Sequence, residues 1–253
     1  MTAHRLSRAE AARRAAAEFV GTAMLVAVVI GSGIAARSLS ADPGLRLLEN
    51  ALATTGGLAV LILVLGPVSG GHFNPVVSVA DWWLGRNSGR GLSGRQLGMY
   101  VPAQCAGSIC GAVLANAMFA NPLVSWSQHQ RSGANLLLSE VVATAGLLVL
   151  IFALVRAGRF AVIPWAVGTY IGAAYWWSSS TSFANPAVTI GRALSNTFAG
   201  IAPGSVPGFV GAQLVGLAVG VGAVAAFFPG AGRTADDVVV PHDEHEPVGR
   251  ARD

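Results

Sequence analysis

Two asparagine–proline pairs lie in closely similar surroundings. Residues 70–80 read GGHFNPVVSVA, and residues 182–193 read SFANPAVTIGRA. An asparagine side chain can cap a helix through its oxygen and can donate N–H groups to a polar molecule nearby. Proline suits the first position of a helix. Each pair therefore predicts a helix start that presents amide donors. The two motifs are Asn74-Pro75-Val76 and Asn185-Pro186-Ala187.

The composition indicates the elements that must position these motifs. The chain has 253 residues, of which 53% are hydrophobic and only 11% are charged, whereas soluble domains carry about 25% charged residues. An integral membrane protein is therefore expected. A helix needs about 20 apolar residues to cross a bilayer, and six segments approach that length. They cover residues 15–36, 48–68, 96–119, 136–155, 160–178 and 206–228.

The arginines suggest how the chain lies in the membrane. With the N-terminus inside, only four of the 16 basic residues would lie outside, which fits the positive-inside rule. Because the arginines flank apolar spans, they do not form a nucleic-acid-binding patch. We expect both termini to be cytoplasmic, in a bacterial inner membrane. The four outer residues are Arg37, Arg46, Arg131 and Arg192.

The sequence contains an internal repeat. AEFVGTAML at residues 17–25 resembles SEVVATAGLL at 139–148, and PAQCAGSICGA at 102–112 resembles GAQLVGLAVG at 211–220. Glu18, Asn74 and Gln104 therefore recur as Glu140, Asn185 and Gln213. We assign residues 15–119 and 133–228 to two repeats of one channel domain. Residues 1–14 would form a cytoplasmic segment, and residues 229–253 a disordered cytoplasmic tail.

Each repeat has three spans, so the second copy is inserted upside down. About ten helix-compatible residues follow each asparagine–proline pair, at 75–84 and 186–195, and about 15 Å of helix crosses half a bilayer. The predicted fold is all-α and integral to the membrane, with six transmembrane helices and two re-entrant half-helices in two inverted repeats. Glu18 and Glu140, with Gln104 and Gln213, would support the re-entrant loops by hydrogen bonds.

With GGHFNPVV, FANPAV, the glutamate helices and the glutamine helices, the chain resembles the aquaporin or major intrinsic protein family. The resemblance covers about residues 15–228 and implies a pore in each subunit of a homotetramer. Asn74 and Asn185 would donate to passing solute, and the half-helix N-termini would repel cations. His72 would pack near the cytoplasmic mouth. FANP also occurs at residues 119–122, outside the repeat, where a turn is expected.

The sequence departs from the family at the outer constriction. The family usually has an arginine directly after the second Asn-Pro-Ala, and this chain has Val188. The remaining constriction positions fall on Thr54, or Ala53 if the register is one residue off, and on Ala173 and Ser182. This ring would be wide and uncharged. Arg192 lies one helical turn beyond Val188, either as a cation in the outer vestibule or as a partner of the helix C-terminus.

This arginine-less pattern resembles bacterial aquaporins that accompany arsenic-resistance genes. It implies a passive channel for small neutral solutes, including metalloid acids such as arsenous acid, or glycerol, urea and water. The alternatives are a proton-coupled secondary transporter that uses Glu18 or Glu140, a water-selective aquaporin, and a non-conducting homologue. No nucleophile, metal-ligand cluster or cofactor motif is present, so no enzyme is predicted. The expected partners are small neutral solutes and the lipid bilayer, with no nucleic acid.

Overall fold

A computed structural model describes residues 7–86 and 91–229. Within these ranges the chain forms eight α-helices, and short 3-10 turns at Phe160–Val162 and Pro203–Ser205 precede the sixth and the eighth. The predicted tail lies outside the described residues except for Pro229. The helices are α1 (Arg8–Leu39), α2 (Pro43–Ser69), α3 (Pro75–Gly85), α4 (Gly94–Met118), α5 (Ala134–Arg156), α6 (Ile163–Trp177), α7 (Pro186–Arg192) and α8 (Val206–Phe227).

Of the described helices, five are long and apolar enough to cross a membrane: α1, α2, α4, α5 and α8 with its preceding turn. Helix α6 has only 15 residues. Together with the 3-10 turn before it, α6 reaches about 28 Å, close to the thickness of the hydrocarbon core. The predicted fold of six spans and two half-helices is confirmed.

Local signals set the helix starts. Ser7 caps α1 by accepting from the N–H of Glu10, so α1 begins at Arg8, seven residues before the expected Ala15. Its first turns extend beyond the apolar segment, and Glu10 pairs there with Arg14 at 2.7 Å. The third asparagine–proline pair lies in a turn that ends α4, where Asn121 donates its N–H to the carbonyl of Asn116.

The two repeats are packed in the same manner. Helix α1 packs along α4, and its counterpart α5 packs along α8. Glycines allow both contacts, since a Cβ on Gly107 or Gly111 would collide with the carbonyl oxygens of Phe19 or Ala23. In the second repeat, a Cβ on Gly216 would likewise collide with the carbonyl oxygen of Val141, at 2.7 Å. Helices α2 and α6 pack against each other, and α7 packs on α4. The half-helices α3 and α7 pack against each other and against α1, α4, α5 and α8.

Candidate functional site

The two half-helices meet at their N-termini through a reciprocal pair of hydrogen bonds. Asn74 donates from Nδ2 to the carbonyl of Ala184 at 2.8 Å, and Asn185 donates from Nδ2 to the carbonyl of Phe73 at 2.8 Å. Each amide thus binds the residue before the other asparagine. An amide NH₂ has two hydrogens, so a second N–H remains on each side chain, and both asparagines line the central cavity.

The amide oxygens cap the helices that follow. Asn74 Oδ1 accepts from the N–H of Val76 at 3.1 Å. Asn185 Oδ1 accepts from Ala187 at 3.0 Å and from Val188 at 3.2 Å. With the oxygen committed to the helix start, the nitrogen of each side chain must point away from the helix. The capping geometry therefore fixes the direction in which the N–H donors are presented.

Glu18 holds the first re-entrant loop. Its Oε1 accepts from Ser69 Oγ at 2.6 Å and from the N–H of His72 at 3.0 Å. Its Oε2 accepts from the N–H of Phe73 and from Gln104 Nε2, both at 2.7 Å. Glu18 is fully buried, and four donors satisfy its two oxygens. A buried carboxylate with this many donors stabilises one loop geometry.

Glu140 holds the second loop in the same way. Its Oε1 accepts from the N–H of Phe183 at 2.9 Å. Its Oε2 accepts from the N–H of Ala184 at 2.9 Å and from Gln213 Nε2 at 2.7 Å. Gln213 also donates to Thr189 Oγ1 at 2.9 Å, as Gln104 donates to Ser78 Oγ at 2.9 Å. The glutamate, the glutamine and a hydroxyl on the half-helix form one repeated unit.

Both loops use the left-handed backbone region at equivalent positions. In the first loop, Gly70, Gly71 and Phe73 have φ values of 97°, 60° and 48°. Their counterparts in the second loop have φ values of 60°, 45° and 47°. Glycine adopts this region without cost, whereas a β-branched residue is strained there. The counterparts, in the same order, are Thr181, Ser182 and Ala184.

A cavity follows the axis between the helices. At one end, here called the His72 end, it is lined by Gly70, Gly71 and His72. His72 is edge-on to Tyr100, and its Nδ1 lies 3.1 Å from Ser78 Oγ. Between the two ends the cavity passes Asn74 and Asn185. The helices contribute apolar side chains spaced mostly four residues apart: Leu25 and Val29, Leu58 and Ile62, Leu147 and Ile151, and Ile163, Val167 and Ile171.

The other end, here called the Arg192 end, brings together most of the expected constriction residues. Thr54, Ser182 and Val188 all line the cavity there. Ala173 does not, and this expectation is corrected, because Ala173 lies on the exposed face of α6. The stripe that α6 turns toward the cavity continues from Ile171 to Tyr175. The Tyr175 hydroxyl lies 3.1 Å from Thr54 Oγ1.

Arg192 also lines the cavity, although it is only 2% exposed. Its guanidinium carbon lies 3.4 Å from the ring centroid of Phe183, and its Nε donates to the carbonyl of Ala199. A guanidinium group stacks well on an aromatic face. Arg192 begins one helical turn beyond Val188, and its side chain reaches the cavity lining from there. Val76, by contrast, is fully buried in packing.

Two residues at this end were missed from the sequence. In α6, apolar residues recur every four positions and mark one helix face. Tyr175 continues this spacing, and the spacing was the signal in the sequence that could have identified it. Arg131 lies in the connection between α4 and α5, where no periodicity gives a position. It donates from Nε to the carbonyl of Gly200 at 3.0 Å, and its guanidinium carbon lies 5.0 Å from the Phe183 ring centroid.

Comparison with known proteins agrees with this architecture. The sequence model of the major intrinsic protein family matches residues 5–176. Aquaglyceroporin AqpS of Rhizobium meliloti is 51% identical over 204 residues, which are 81% of this chain and 85% of that protein. The glycerol uptake facilitator protein of Pseudomonas aeruginosa is 31% identical over 218 residues, 74% of this chain and 75% of that protein.

A solved structure shows the same fold. The aquaglyceroporin of Plasmodium falciparum superposes with a TM-score of 0.60 at 20% identity, covering 86% of this chain and 96% of that one. Its fold, the family match over more than half of the chain and the two sequence relatives agree on one assignment. The chain belongs to the major intrinsic protein family, as an aquaglyceroporin-like multi-pass membrane channel for small neutral solutes and not an enzyme.

Proposed function

We propose that this channel passes small uncharged solutes through a constriction that has Val188 where the family usually has an arginine. One observation carries the proposal: Val188 lines the cavity beside Thr54, Tyr175 and Ser182. These neighbours offer hydroxyl groups and no charge, so a solute meets hydrogen-bonding partners on one side and an apolar surface on the other. Polyhydroxylated neutral molecules match such a lining.

Neutral metalloid acids such as arsenous acid are the proposed substrates, together with glycerol, urea and water. The relatives support the broader class, since one is named an aquaglyceroporin and another a glycerol uptake facilitator. Arsenous acid is uncharged at neutral pH and rich in hydroxyl groups. The free N–H groups of Asn74 and Asn185, at the middle of the cavity, would bind each solute weakly enough to release it.

The proposed role of Glu18 and Glu140 is structural, which argues against a proton-coupled transporter. Both carboxylates are fully buried, and neither lines the cavity. Their oxygens accept hydrogen bonds from backbone and side-chain donors of the re-entrant loops and of the glutamine helices. A proton carrier needs access to the permeation path and a free oxygen. Gln104 and Gln213 each add a donor and complete the support of the loops.

The proposed setting is a bacterial inner membrane, with both termini cytoplasmic and a homotetramer as the assembly. The distribution of arginines supports this orientation, and it places the Arg192 end outside and the His72 end at the cytoplasmic mouth. Large apolar side chains are exposed on the outer faces of the spans, Leu52, Val64 and Val215 among them. Lipid or neighbouring subunits would cover these faces.

A permeability panel tests the function. Purified protein in liposomes is assayed by stopped-flow light scattering with water, glycerol and urea, and arsenous acid uptake is measured directly. We expect all four to equilibrate faster than in empty liposomes. Uphill accumulation driven by an imposed proton gradient would instead establish the coupled transporter. Permeability to water alone would establish a water-selective pore, and the absence of any flux a non-conducting homologue.

Substitution of Val188 tests the constriction. Val188→Arg should reduce glycerol flux about tenfold, equivalent to about 1.4 kcal/mol of added barrier, with a smaller effect on water. The reason is that a long cationic side chain would occupy space that larger solutes need. Val188→Leu is the control, because it adds size without charge or donors. If Val188→Arg slows water and glycerol equally, Val188 does not form the constriction.

A further inference from the structure

Two buried arginines at the Arg192 end share one aromatic ring. The guanidinium carbon of Arg192 lies 3.4 Å from the Phe183 ring centroid, and that of Arg131 lies 5.0 Å from it. Arg192 is 2% exposed and Arg131 is 9% exposed. They come from different parts of the chain, one from α7 and the other from the connection before α5. The fold thus brings two like charges to one ring at the Arg192 end, where Phe183 and Arg192 line the cavity and Arg131 lies behind them.

Neither arginine forms an ion pair with a carboxylate in the described residues, and the buried Glu140 attracts both only over a longer distance. Within residues 7–86 and 91–229, the ion pair between side chains is that of Glu10 and Arg14, far from this end. Backbone carbonyls hold the two guanidinium groups instead. Arg131 donates from Nη1 to Ser180 at 3.4 Å and from Nε to Gly200 at 3.0 Å. A guanidinium has five N–H donors, so donors remain on both side chains.

Arg131 is held in place before any ligand arrives. Its backbone N–H donates to Ser205 Oγ at 3.1 Å. Two residues earlier, the carbonyl of His129 accepts from the N–H of Ala202 at 2.8 Å. Burial lowers the pKa of Arg131 to about 10, so the side chain stays charged at neutral pH. The connection therefore presents a fixed cation and not a flexible one.

A buried hydroxyl without a partner lies beside these cations. Ser182 is 2% exposed, lines the same cavity as Arg192, and its Oγ has no hydrogen-bond partner. A buried hydroxyl without a partner costs stability unless something binds it. It directly precedes Phe183, whose ring both guanidinium groups contact. Ser182 thus offers a hydroxyl without a partner in the same cavity lining as Arg192.

We propose that Arg131, Arg192 and Ser182 form a subsite for a small monovalent oxyanion of the carboxylate type. Planar oxyanions match the donor geometry of guanidinium groups. A bound anion should not continue along the axis, because the hydroxyl groups of Thr54 and Tyr175 are followed by a largely apolar wall, with Val188 and Ile171, that does not replace its hydration. The anion therefore occupies the entrance and blocks neutral solutes. This inference rests on the proposed channel function.

Formate is the probe. Glycerol flux into liposomes is measured at neutral pH and constant ionic strength while formate replaces chloride on the outside. Wild-type flux should fall as formate rises. Arg131→Gln and Arg192→Gln should each raise the half-inhibitory concentration roughly tenfold, the change expected for one lost charge-assisted hydrogen bond. The control is Arg37→Gln, an exposed arginine at the same end of the molecule, which should leave inhibition unchanged.

A binding measurement separates this subsite from the channel function. In detergent, formate should raise the thermal unfolding temperature of wild type and of Arg37→Gln more than that of Arg131→Gln or Ser182→Ala. An equal rise in all four proteins, or equal inhibition in all variants, overturns the subsite. A glycerol-impermeable wild type that still shows the selective rise overturns the proposed function and supports the subsite.

Discussion

The two re-entrant loops share one supporting framework but differ in what they present to solute. Positions 111 apart match in both: Ser69 with Ser180, Ser78 with Thr189, and the two asparagines with each other. Both serine hydroxyls accept from the backbone N–H two residues on, at 3.2 Å and 3.1 Å. Glu18 and Glu140 receive the N–H groups of the same two loop positions.

The differences lie at the mouths. His72 in the first loop corresponds to Phe183 in the second, and Asp81 of α3 corresponds to Arg192 of α7. Asp81 accepts from the N–H of Leu92 at 2.7 Å and is turned into the protein. Arg192 is turned to the cavity. The carbonyl of Ser69 accepts from the Tyr100 hydroxyl at 2.6 Å, whereas the carbonyl of Ser180 accepts from Arg131.

The groups that support the loops are thus different from the side chains that meet solute. Groups that position the two backbones were retained in both copies because each loop needs the same donors satisfied at the same depth. Side chains that meet solute are free to diverge, since the two mouths face different compartments in an inverted repeat. Arg192 contributes a positive charge to the lining at one mouth, whereas Gly70, Gly71 and His72 line the other.

The largest expected effect is on stability, and it should be unequal between the repeats. In Glu18→Gln, an NH₂ group replaces a carboxylate oxygen that accepts two hydrogen bonds. We expect the free energy of unfolding to fall by about 3 kcal/mol. Glu140→Gln can turn its nitrogen toward the single donor on Oε1, so about 2 kcal/mol is expected. Thermal or chemical unfolding in detergent measures both. Glu10→Gln, in a partly exposed pair, is the control with less than about 1 kcal/mol. Equal losses at all three positions would contradict the framework described here.

Substitution of either asparagine of the reciprocal pair should reduce solute flux to a similar extent. Asn185→Asp removes the donor to the carbonyl of Phe73 and places a negative oxygen between two positive helix ends. Glycerol flux should fall about tenfold, and proton exclusion should weaken. Asn74→Asp should behave alike, because the two bonds are reciprocal. The exposed Asn196→Asp serves as the control. Unchanged flux and exclusion in Asn185→Asp would show that the amide does not face the solute.

The smallest effect concerns the backbone of the loops. Thr181 adopts at φ 60° the conformation that Gly70 adopts at φ 97°. Thr181→Gly should relieve left-handed strain of about 1–2 kcal/mol while the entropy of the unfolded chain costs about 0.5–1 kcal/mol, so stability should rise by up to about 1.5 kcal/mol. Gly70→Thr should lose stability. Unfolding temperatures of the two variants check the opposite signs; a loss in both would mean that contacts of the Thr181 side chain outweigh its strain.

The fold was predictable because its signals are local. Apolar length marks a span, and an asparagine–proline pair marks a half-helix, so the six-plus-two fold followed from sequence and is confirmed. The placement of Ala173 failed by a local error of register, since α6 presents every fourth residue and Tyr175 continues that stripe. Arg131 was expected on the outer side, but its contact with the Phe183 ring could not be predicted. Its position depends on hydrogen bonds to residues 49 to 74 positions away, which no local pattern encodes.

The reciprocal asparagine bonds have a consequence for biosynthesis. Asn74 binds a carbonyl that lies 110 residues later in the chain. At about 5–20 residues per second, roughly 5–20 s pass between synthesis of the first asparagine and of its partner. During that interval the first half-helix has a donor without an acceptor, in a half-built protein inside the membrane. The first repeat therefore cannot complete this hydrogen bond until the second repeat has been synthesised. The centre of the pore should form late, in a single step.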